Sequence, residues 1–342
     1  MTPLASVIIV GYNGARFVDS CLSALLDQSW PPERYEIIYA DNGSAESPLP
    51  AIQARYPGVR CRQFERNLGF AAGNNQALTE ARADILLFLN QDTVVHHAWV
   101  AEMVNVLRDQ PDLGAVYANQ ILPADPEFAA ADRYGPPQRA NVWQLTWGGY
   151  ARCLSRPPQT TLVPTPCLSG GAFGMRRAVL ARLETLFDAD YGSYGEDIDL
   201  GLRLQLGGYG VALAPQAVVF HATGSGLHNP SASVAPFVAM RTALRVMRNR
   251  WLTYYKVMDS AEFLLFFPCL LLGAPGKAWQ WRVAWPLRLA AALAFIPLNL
   301  LALLQALRAL PGYRAQRRRL QAQRRAPRFW LMRRLVTQRR DV

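Results

Sequence analysis

The sequence of 342 residues predicts an α/β fold, a doubly wound sheet with helices on both faces. Apolar strand-like runs alternate with amphipathic helical spacing across residues 4–117, which is the pattern of successive strand–helix units. The first run, residues 4–10, is apolar throughout, as expected for a strand covered on both faces. Several runs end in Asn or Asp. Because sheets of this class bind ligands at the carboxyl ends of their strands, the fold class also predicts where a site lies.

The local pattern assigns each element in turn. The strand at 4–10 ends in the turn-rich tetrad Gly11–Gly14, and apolar residues then recur at helical spacing from Phe17 to Leu26 before Pro31 and Pro32 end the helix. Further strands are expected at 35–40, 59–64, 85–89, 114–117, 211–213 and 218–220, and further helices at 70–82, 98–107, 175–180 and 235–257. Residues 123–165 lose this periodicity, so we expect a long irregular insertion there.

Composition bounds the class of protein. The five cysteines are scattered and match no metal or disulfide framework, which fits a reducing compartment. The first positive charge, Arg16, follows the apolar run 4–10, so that run is expected to be a buried strand and not a secretory signal. From Arg308 to the end the chain has twelve arginines and one acid, Asp341, so the net charge of +11 belongs to this tail.

The most unusual stretch is Tyr194–Gly208. Its alternating leucines fit a strand or a helix, but the acidic start favours a helix that Gly207 and Gly208 end. Acidic residues suit a helix N-terminus because of the helix dipole, which explains one or two of Glu196, Asp197 and Asp199. A third carboxylate indicates a general base at the start of the helix, with Asp199 as a helix-start residue.

Polar residues at strand ends supply the other candidates. Asp92 could ligate a hard divalent cation or could equally be part of a turn and helix cap. Asp41 could accept hydrogen bonds from a nucleotide base or ribose, or be a turn residue. Asn13 follows the first strand in the same way. His221 follows the strand at 218–220, where a structural hydrogen-bonding role and a metal-ligand role are both open.

Residues 66–75 form a Gly- and Asn-rich entry to a helix. Backbone N–H groups and the helix dipole could receive a phosphate there, with Arg66 as a two-pronged donor. The glycine spacing is neither that of a dinucleotide-binding fingerprint nor that of a P-loop, which disfavours both of those enzyme classes.

Six fragments in order resemble the family-2 glycosyltransferases, and they are most similar to the bacterial rhamnosyltransferase-like branch that builds O-antigen, capsule and cell-wall glycans. The fragments are Ser6–Asn13, Asp41–Ser44, Arg66–Asn75, Leu89–Thr93, Ser169–Phe173 and Gly195–Leu200. The resemblance covers residues 4 to 255.

The resemblance implies a nucleotide-binding fold of the GT-A type. It also implies inverting transfer of a sugar, of which rhamnose is an example, from a nucleotide-diphospho-sugar to a glycan or lipid-linked acceptor. Asp41 matches the nucleoside-contacting residue, Asp92 the last residue of the metal-binding Asp-x-Asp, and Asp197 the general base of a Glu-Asp pair with Glu196. His221 lies where some members have a metal-binding His, and Mg²⁺ or Mn²⁺ is the implied cofactor. The remaining donor-site residues are expected to be Tyr12, Asn13, Arg66, Asn67, Gly69, Asn74 and Asn90.

Asn90 departs from the family pattern, because it stands where the first Asp of Asp-x-Asp would be. A neutral amide oxygen is a weaker ligand, so the metal would depend more on Asp92, the diphosphate and His221. The rhamnosyltransferase-like branch commonly has Leu-Asn-x-Asp, and activity is therefore still expected.

The C-terminal third has membrane-like features. Leu289–Leu307 is charge-free and long enough for a minimal span, whereas Phe263–Gly276 is shorter. Trp279, Trp281 and Trp285 suit an interface. We expect interfacial or re-entrant association on the cytoplasmic side of a bacterial plasma membrane; a true hairpin and a soluble helical extension remain the alternatives. The Arg-rich tail favours an anionic membrane surface over nucleic acid.

These features divide the chain into a transferase domain (1–255), apolar membrane-associated helices (256–310) and a basic tail (311–342). Two rival functions stay open on the sequence alone. A sugar nucleotidyltransferase would use the same fold with a nucleoside triphosphate, and a catalytically silent scaffold would bind without turnover. An accessory RNA-binding role of the tail is a third alternative.

Overall fold

The computed structural model describes residues 3–121, 135–222, 236–278 and 285–337. The strands are β1 (Ala5–Gly11), β2 (Tyr35–Asp41), β3 (Arg60–Gln63), β4 (Ile85–Asn90), β5 (Thr93–Val95), β6 (Leu113–Ile121), β7 (Ala140–Leu145), β8 (Ala151–Arg156), β9 (Val163–Pro164), β10 (Ala172–Arg176) and β11 (Gly210–His221). The helices are α1 (Ala15–Leu26), α2 (Leu49–Arg55), α3 (Gly69–Ala77), α4 (Trp99–Asp109), α5 (Arg177–Leu180), α6 (Glu196–Leu206), α7 (Pro236–Val257), α8 (Ser260–Ala278), α9 (Trp285–Ala322) and α10 (Trp330–Thr337).

The described strands form a nine-stranded sheet in the order β3-β2-β1-β4-β10-β6-β11-β5, with β9 beside β11. Strand β1 is parallel to β2 and β4, and β6 is parallel to β11, whereas β10 is antiparallel to both of its neighbours. The register places Gly11 opposite Asp41 and Val10 opposite Asn90. The carboxyl ends of three strands therefore meet at one edge, and the predicted α/β class is confirmed with a mixed sheet.

Both faces of the sheet are covered. Along β1, Val7 and Ile9 join the core cluster on one face and Ile8 joins the cluster on the other, because successive strand residues point to opposite faces. This packing explains why the first strand is apolar throughout.

Helix α6 is buried on two sides, which explains its alternating leucines. Leu200 and Leu204 pack towards the sheet, while Leu202 and Leu206 pack into a third cluster formed with the C-terminal helices. A helix covered on both sides needs apolar residues around most of its circumference. The acidic residues at its start therefore predicted the secondary structure of this segment better than its alternating leucines did.

Three expectations differ from the structure. The insertion predicted to be irregular contains the hairpin β7–β8, although its residues 122–134 lie outside the described ranges. The strands expected at 211–213 and 218–220 are one strand, β11, with a register shift where Pro215 lacks a backbone donor. The helix expected over 70–82 ends at Ala77 and continues as a 3-10 turn.

Helices α8 and α9 pack on α7 through a buried polar residue. Asn299 of α9 donates to the carbonyls of Leu270 (3.1 Å) and Leu271 (2.7 Å) and accepts from Arg250 (2.9 Å) and Trp251 (3.1 Å). An Asn in an apolar helix is therefore fully satisfied inside the protein.

The outer face of α8 and α9 is apolar and exposed. Within the described residues one stretch, Phe295–Ala322, is long and apolar enough to cross a bilayer, and most of its apolar part is exposed. The exposed large side chains are Leu264, Leu265, Leu272, Trp285, Leu289, Leu293, Ile296, Leu300, Leu301, Leu304 and Leu307. Of the expected interfacial residues, Trp279 and Trp281 lie outside the described ranges, whereas Trp285 is exposed.

Part of the Arg-rich tail is docked on the body of the protein. Arg324 pairs with Asp259 and Glu262, and Leu331 of α10 is fully buried. The division expected between residues 310 and 311 falls inside the continuous helix α9. The tail is thus not a uniformly free basic segment, because part of its charge is engaged within the protein.

Candidate active site

A cleft of about 920 Å³ opens at the carboxyl edge of β1, β2 and β4. Its lining residues include five of the predicted donor-site residues, Tyr12, Asn13, Asn67, Gly69 and Asn90, and both predicted metal ligands, Asp92 and His221. Two glycines after β1 lie close to neighbouring side chains: a Cβ at Gly11 would lie 2.0 Å from the Tyr39 hydroxyl, and one at Gly14 would lie 2.2 Å from the Gln91 amide nitrogen. A side chain at either position would therefore displace Tyr39 or Gln91 beside the cleft.

One end of the cleft gathers three potential ligand side chains. His221 Nε2 lies 3.2 Å from Asp92 Oδ1 and 3.4 Å from Asn90 Nδ2. The other ring nitrogen, Nδ1, lies 3.1 Å from Gln120 Oε1, and the Gln120 amide nitrogen donates to Ser169. Because a carbonyl oxygen only accepts, Nδ1 is the ring nitrogen that donates to Gln120, and Nε2 is the ring nitrogen that faces Asp92 and Asn90.

This corner has the donor chemistry of a divalent cation site. A carboxylate, an amide oxygen after rotation of Asn90, and an imidazole held by an outer partner are all ligands that Mg²⁺ or Mn²⁺ accepts. The described residues contain no cluster of three or more His, Cys, Asp or Glu side chains. A cation here would therefore need oxygen atoms from a substrate to complete its coordination.

Two adjacent glycines connect this corner to the predicted base. The Gly170 N–H donates to Asp197 Oδ2 (3.0 Å), and the Gly171 carbonyl accepts from Asn90 N (2.9 Å). A Cβ at Gly170 would lie 3.0 Å from the Asp197 Cβ, and one at Gly171 would lie 3.0 Å from the His221 ring. A side chain at Gly170 would push against Asp197, and one at Gly171 would push against Gln120 and His221, so the two glycines permit this close approach.

The three carboxylates of α6 have different environments. Desolvation raises the pKa of Glu196 well above its ordinary range, and the nearby Asp197 raises it further. Desolvation also raises the pKa of Asp197, against the backbone N–H groups of Gly170 and Ile198. A raised pKa makes each carboxylate a stronger base once it is ionised, as suits a group that must take up a proton.

The pKa of Asp199 is shifted in the opposite direction to those of Glu196 and Asp197, and its contacts go beyond the expected role of a helix-start residue. Its burial would raise its pKa, but Lys256 (2.8 Å) and Arg203 (2.7 Å) outweigh that effect and hold the pKa below its ordinary value. It is more than a helix-start residue, because it is the centre of a buried ion cluster.

The nucleoside candidate lies at the end of β2. Asp41 is fully buried, and its Oδ1 accepts from the Ser44 backbone N–H (3.1 Å) and hydroxyl (2.5 Å). Its Oδ2 has no hydrogen-bond partner among the described residues. Asn13, in the left-handed region (φ 48°), ties the neighbouring turn together by accepting from the Ala45 N–H. A buried carboxylate oxygen without a partner is an unused acceptor, and although Asp41 does not line the cleft itself, the adjacent Asn42 does.

The phosphate site expected at the start of α3 is not available as predicted. The backbone N–H groups of residues 68–71 already donate to Asn42, Asn67, Ser193 and Gly192, respectively. Arg66 is exposed and does not line the cleft. Asn74 is buried and donates to the Phe70 carbonyl within its own helix.

Positive charge in the cleft comes instead from Arg16 and Arg245. Arg245 of α7 lies over Gly192 and acts electrostatically on Glu196. The sequence patterns did not predict a role for Arg245, Gln91 or Gln120. Gln91 lies within the Asn-Gln-Asp motif, which is a local indication of its place at the site, whereas no local pattern indicates Gln120 or Arg245.

Comparisons with known proteins agree with this architecture. The profile of "Glycosyl transferase family 2" matches residues 6–183. The chain is 28% identical over 246 residues to the N-acetylglucosaminyl-diphospho-decaprenol L-rhamnosyltransferase of Mycobacterium tuberculosis strain H37Rv, covering 65% of this chain and 76% of the relative. It is 40% identical over 113 residues to the uncharacterized glycosyltransferase YfnE of Bacillus subtilis strain 168, covering 32% of this chain and only 28% of that relative.

Solved structures show the same fold at low identity. A mannosyltransferase from Pyrobaculum calidifontis, in complex with GDP-Man and Mn²⁺, matches with a TM-score of 0.54 at 18% identity over 94% of this chain and 85% of the other. TarS of S. aureus (residues 1–349, with UDP) matches with a TM-score of 0.53 at 16% identity over 93% and 88%. With the matched profile and the cleft at the strand ends, the chain belongs to glycosyltransferase family 2 and has the GT-A fold.

Proposed function

We propose that the protein is an inverting, metal-dependent glycosyltransferase of cell-surface polysaccharide synthesis. It moves a sugar from a nucleotide-diphospho-sugar to a hydroxyl of a lipid-linked or growing glycan acceptor. The mycobacterial relative is named as a rhamnosyltransferase acting on a diphospho-decaprenol-linked sugar, which supports a rhamnose-like donor and a lipid-linked acceptor here.

One observation carries the proposal. Two adjacent glycines hold the candidate base on one side and the candidate metal corner on the other, so proton removal and leaving-group stabilisation can act on one substrate. Inverting transfer needs both, because the acceptor hydroxyl loses its proton as the nucleoside diphosphate departs from the opposite face of the anomeric carbon.

Each group has a distinct role. Asp197 takes the acceptor proton, and Glu196 lies buried beside it as the other member of the acidic pair. Asp92, His221 and Asn90 would hold Mg²⁺ or Mn²⁺, which neutralises charge on the diphosphate when bound. Asp41 accepts hydrogen bonds from the nucleoside through its unpartnered oxygen.

The positive groups of the cleft act on the same leaving group. Arg16 and Arg245 add counter-charge on the cleft wall. Arg245 thereby takes the role expected of Arg66, which does not line the cleft.

The C-terminal helices fit a membrane-associated enzyme. Exposed residues of α9 recur at spacings of three and four, from Leu289 through Leu293, Ile296 and Leu300 to Leu304, and so form one apolar stripe. The opposite face of α9 carries the buried Asn299 and is held by the protein. This arrangement favours a hairpin that lies in the cytoplasmic leaflet of the plasma membrane, with tail arginines near anionic headgroups.

The proposal is tested by thermal shift of the purified full chain with UDP-, GDP- and dTDP-sugars, each with and without Mn²⁺. At 100 times Kd a ligand adds about 2.7 kcal/mol, so we expect one metal-dependent rise of about 4 °C. Asp92→Asn should remove the metal dependence. A shift with nucleoside triphosphates alone would overturn the proposal in favour of nucleotidyl transfer, and no shift with any nucleotide would favour a silent scaffold.

A further inference from the structure

One face of α7 carries buried polar side chains that line no part of the cleft. Asn249, Thr253 and Lys256 follow one another at spacings of four and three residues, so they share a face. Their exposed fractions are 0%, 2% and 0%. Buried polar groups destabilise a fold unless they have partners, so the partners show what this face does.

Asn249 joins the two ends of the turn before α6. Its amide nitrogen donates to the carbonyls of Tyr191 (3.0 Å) and Tyr194 (2.8 Å). Between and after these residues the backbone enters the left-handed region three times, at Gly192 (φ 66°), Tyr194 (φ 74°) and Gly195 (φ 91°). A tyrosine in that region is strained and persists only where its surroundings hold it.

Thr253 and Lys256 fix the elements on either side of this turn. The Thr253 hydroxyl lies 2.8 Å from the Tyr191 hydroxyl. Lys256 Nζ bridges Asp199 Oδ1 (2.8 Å) on α6 and Asp188 Oδ2 (2.9 Å) before the turn, and lies 4.5 Å from the centre of the Tyr191 ring. A charge buried so completely needs both carboxylates.

We propose that Asn249, Thr253 and Lys256 are positioning residues that hold the strained turn and the first turn of α6, and through them Glu196 and Asp197, against the Gly170–Gly171 segment. The polar residues of this face contact the chain on both sides of the acidic pair. They contact Asp188 and Tyr191 before it and Asp199 after it. The proposal rests on the proposed function in one respect only, that Asp197 is the base.

Helix α7 supplies a matched control. Arg250 is a long basic residue on the same helix, 5% exposed, and it donates to the carbonyls of Gly148 and Leu270 and to Asn299. These partners belong to the β7–β8 hairpin and to α8 and α9, not to the turn or α6. Lys256→Met and Arg250→Met therefore remove comparable buried charges, but only the first removes a support of the acidic pair.

The experiment compares the full-length wild type with Lys256→Met, Asn249→Ala and Arg250→Met. Hydrogen exchange, read by mass spectrometry, should accelerate about tenfold or more in peptides covering residues 190–199 in the first two variants and not in Arg250→Met. With the donor found by thermal shift, kcat should fall about 10- to 100-fold in the same two, because a misplacement of 1 Å can cost about a hundredfold. The donor KM should change by a smaller factor than kcat, because the three substituted residues do not line the cleft themselves, although Gly192, Ser193 and Tyr194 of the turn they hold do.

Equal acceleration of exchange in Arg250→Met would overturn the proposal, because it would reveal general loosening of α7. Unchanged exchange at residues 190–199 in both Lys256→Met and Asn249→Ala would overturn it as well. A wild type that turns over no donor refutes the proposed function instead, and the exchange comparison then decides by itself whether α7 holds the turn.

Discussion

Replacing Asp197 by Asn tests the assignment of the base most directly. The change preserves the volume of the side chain but removes its ability to take a proton. General base catalysis contributes about 10²–10⁴ in rate, or roughly 2.7–5.5 kcal/mol of transition-state stabilisation. We therefore expect kcat to fall by at least a hundredfold while nucleotide binding persists, because Asp197 does not line the cleft.

The structure also sets the cost in stability. Asp197 accepts from the N–H groups of Gly170 (3.0 Å) and Ile198 (2.8 Å), one through each oxygen. Asn has only one oxygen, so one N–H loses its acceptor, at about 1–3 kcal/mol. Loss of the desolvated charge offsets part of this. We expect a Tm only a few degrees lower, so the variant stays folded at assay temperature.

The assay is release of nucleoside diphosphate with the donor found by thermal shift, and Glu196→Gln is the control. That variant should lose less turnover than Asp197→Asn. It should also be more stable than the wild type at pH 8. The raised pKa of Glu196 means that its stability contribution is present at low pH and is lost as the pH rises through that pKa, whereas Gln loses nothing. Turnover by Asp197→Asn within tenfold of wild type would refute the role of Asp197 as the base.

Three further predictions concern the surroundings of the site. Gln120→Leu should weaken Mn²⁺ binding about 10- to 100-fold in a titration, because it removes the partner that orients His221; unchanged affinity would contradict the metal corner. Asp199→Asn should lower the free energy of unfolding by about 3–5 kcal/mol in urea at pH 7. Because the pKa of Asp199 is lowered, this difference should shrink only as the pH falls below the ordinary carboxyl range, and a constant difference down to pH 2 would argue against the ion cluster. Leu300→Glu with Leu304→Glu should abolish sedimentation with phosphatidylglycerol vesicles without changing Tm, whereas Leu26→Glu, at an equally exposed leucine of α1, should not; vesicle binding by the double variant would place the membrane contact elsewhere.

The local sequence pattern predicted a residue's position well wherever that position depends only on the strand or helix that carries the residue. Asp41, Asn90 and Asp92 lie at or directly beyond strand ends, and parallel pairing of β1, β2 and β4 brings those ends to one edge. The start of helix α6 could likewise be predicted from its acidic residues, because helix dipoles and caps act within one turn. The phosphate site predicted at the start of α3 depends on which groups pack against that helix, and in this structure Asn42, Asn67, Ser193 and Gly192 accept from its first N–H groups.

The sequence by itself determined the fold class, the strand-end residues of the cleft and the helix that carries the acidic pair. These depend on hydrophobic period and on motifs of a few residues, which are local properties. Only the tertiary structure decided that Gln120 contacts His221, that Arg245 and not Arg66 lines the cleft, and that Lys256 lies between Asp188 and Asp199. Those contacts join residues about 50 to 100 positions apart, and distances across a folded core are set by packing and not by spacing along the chain.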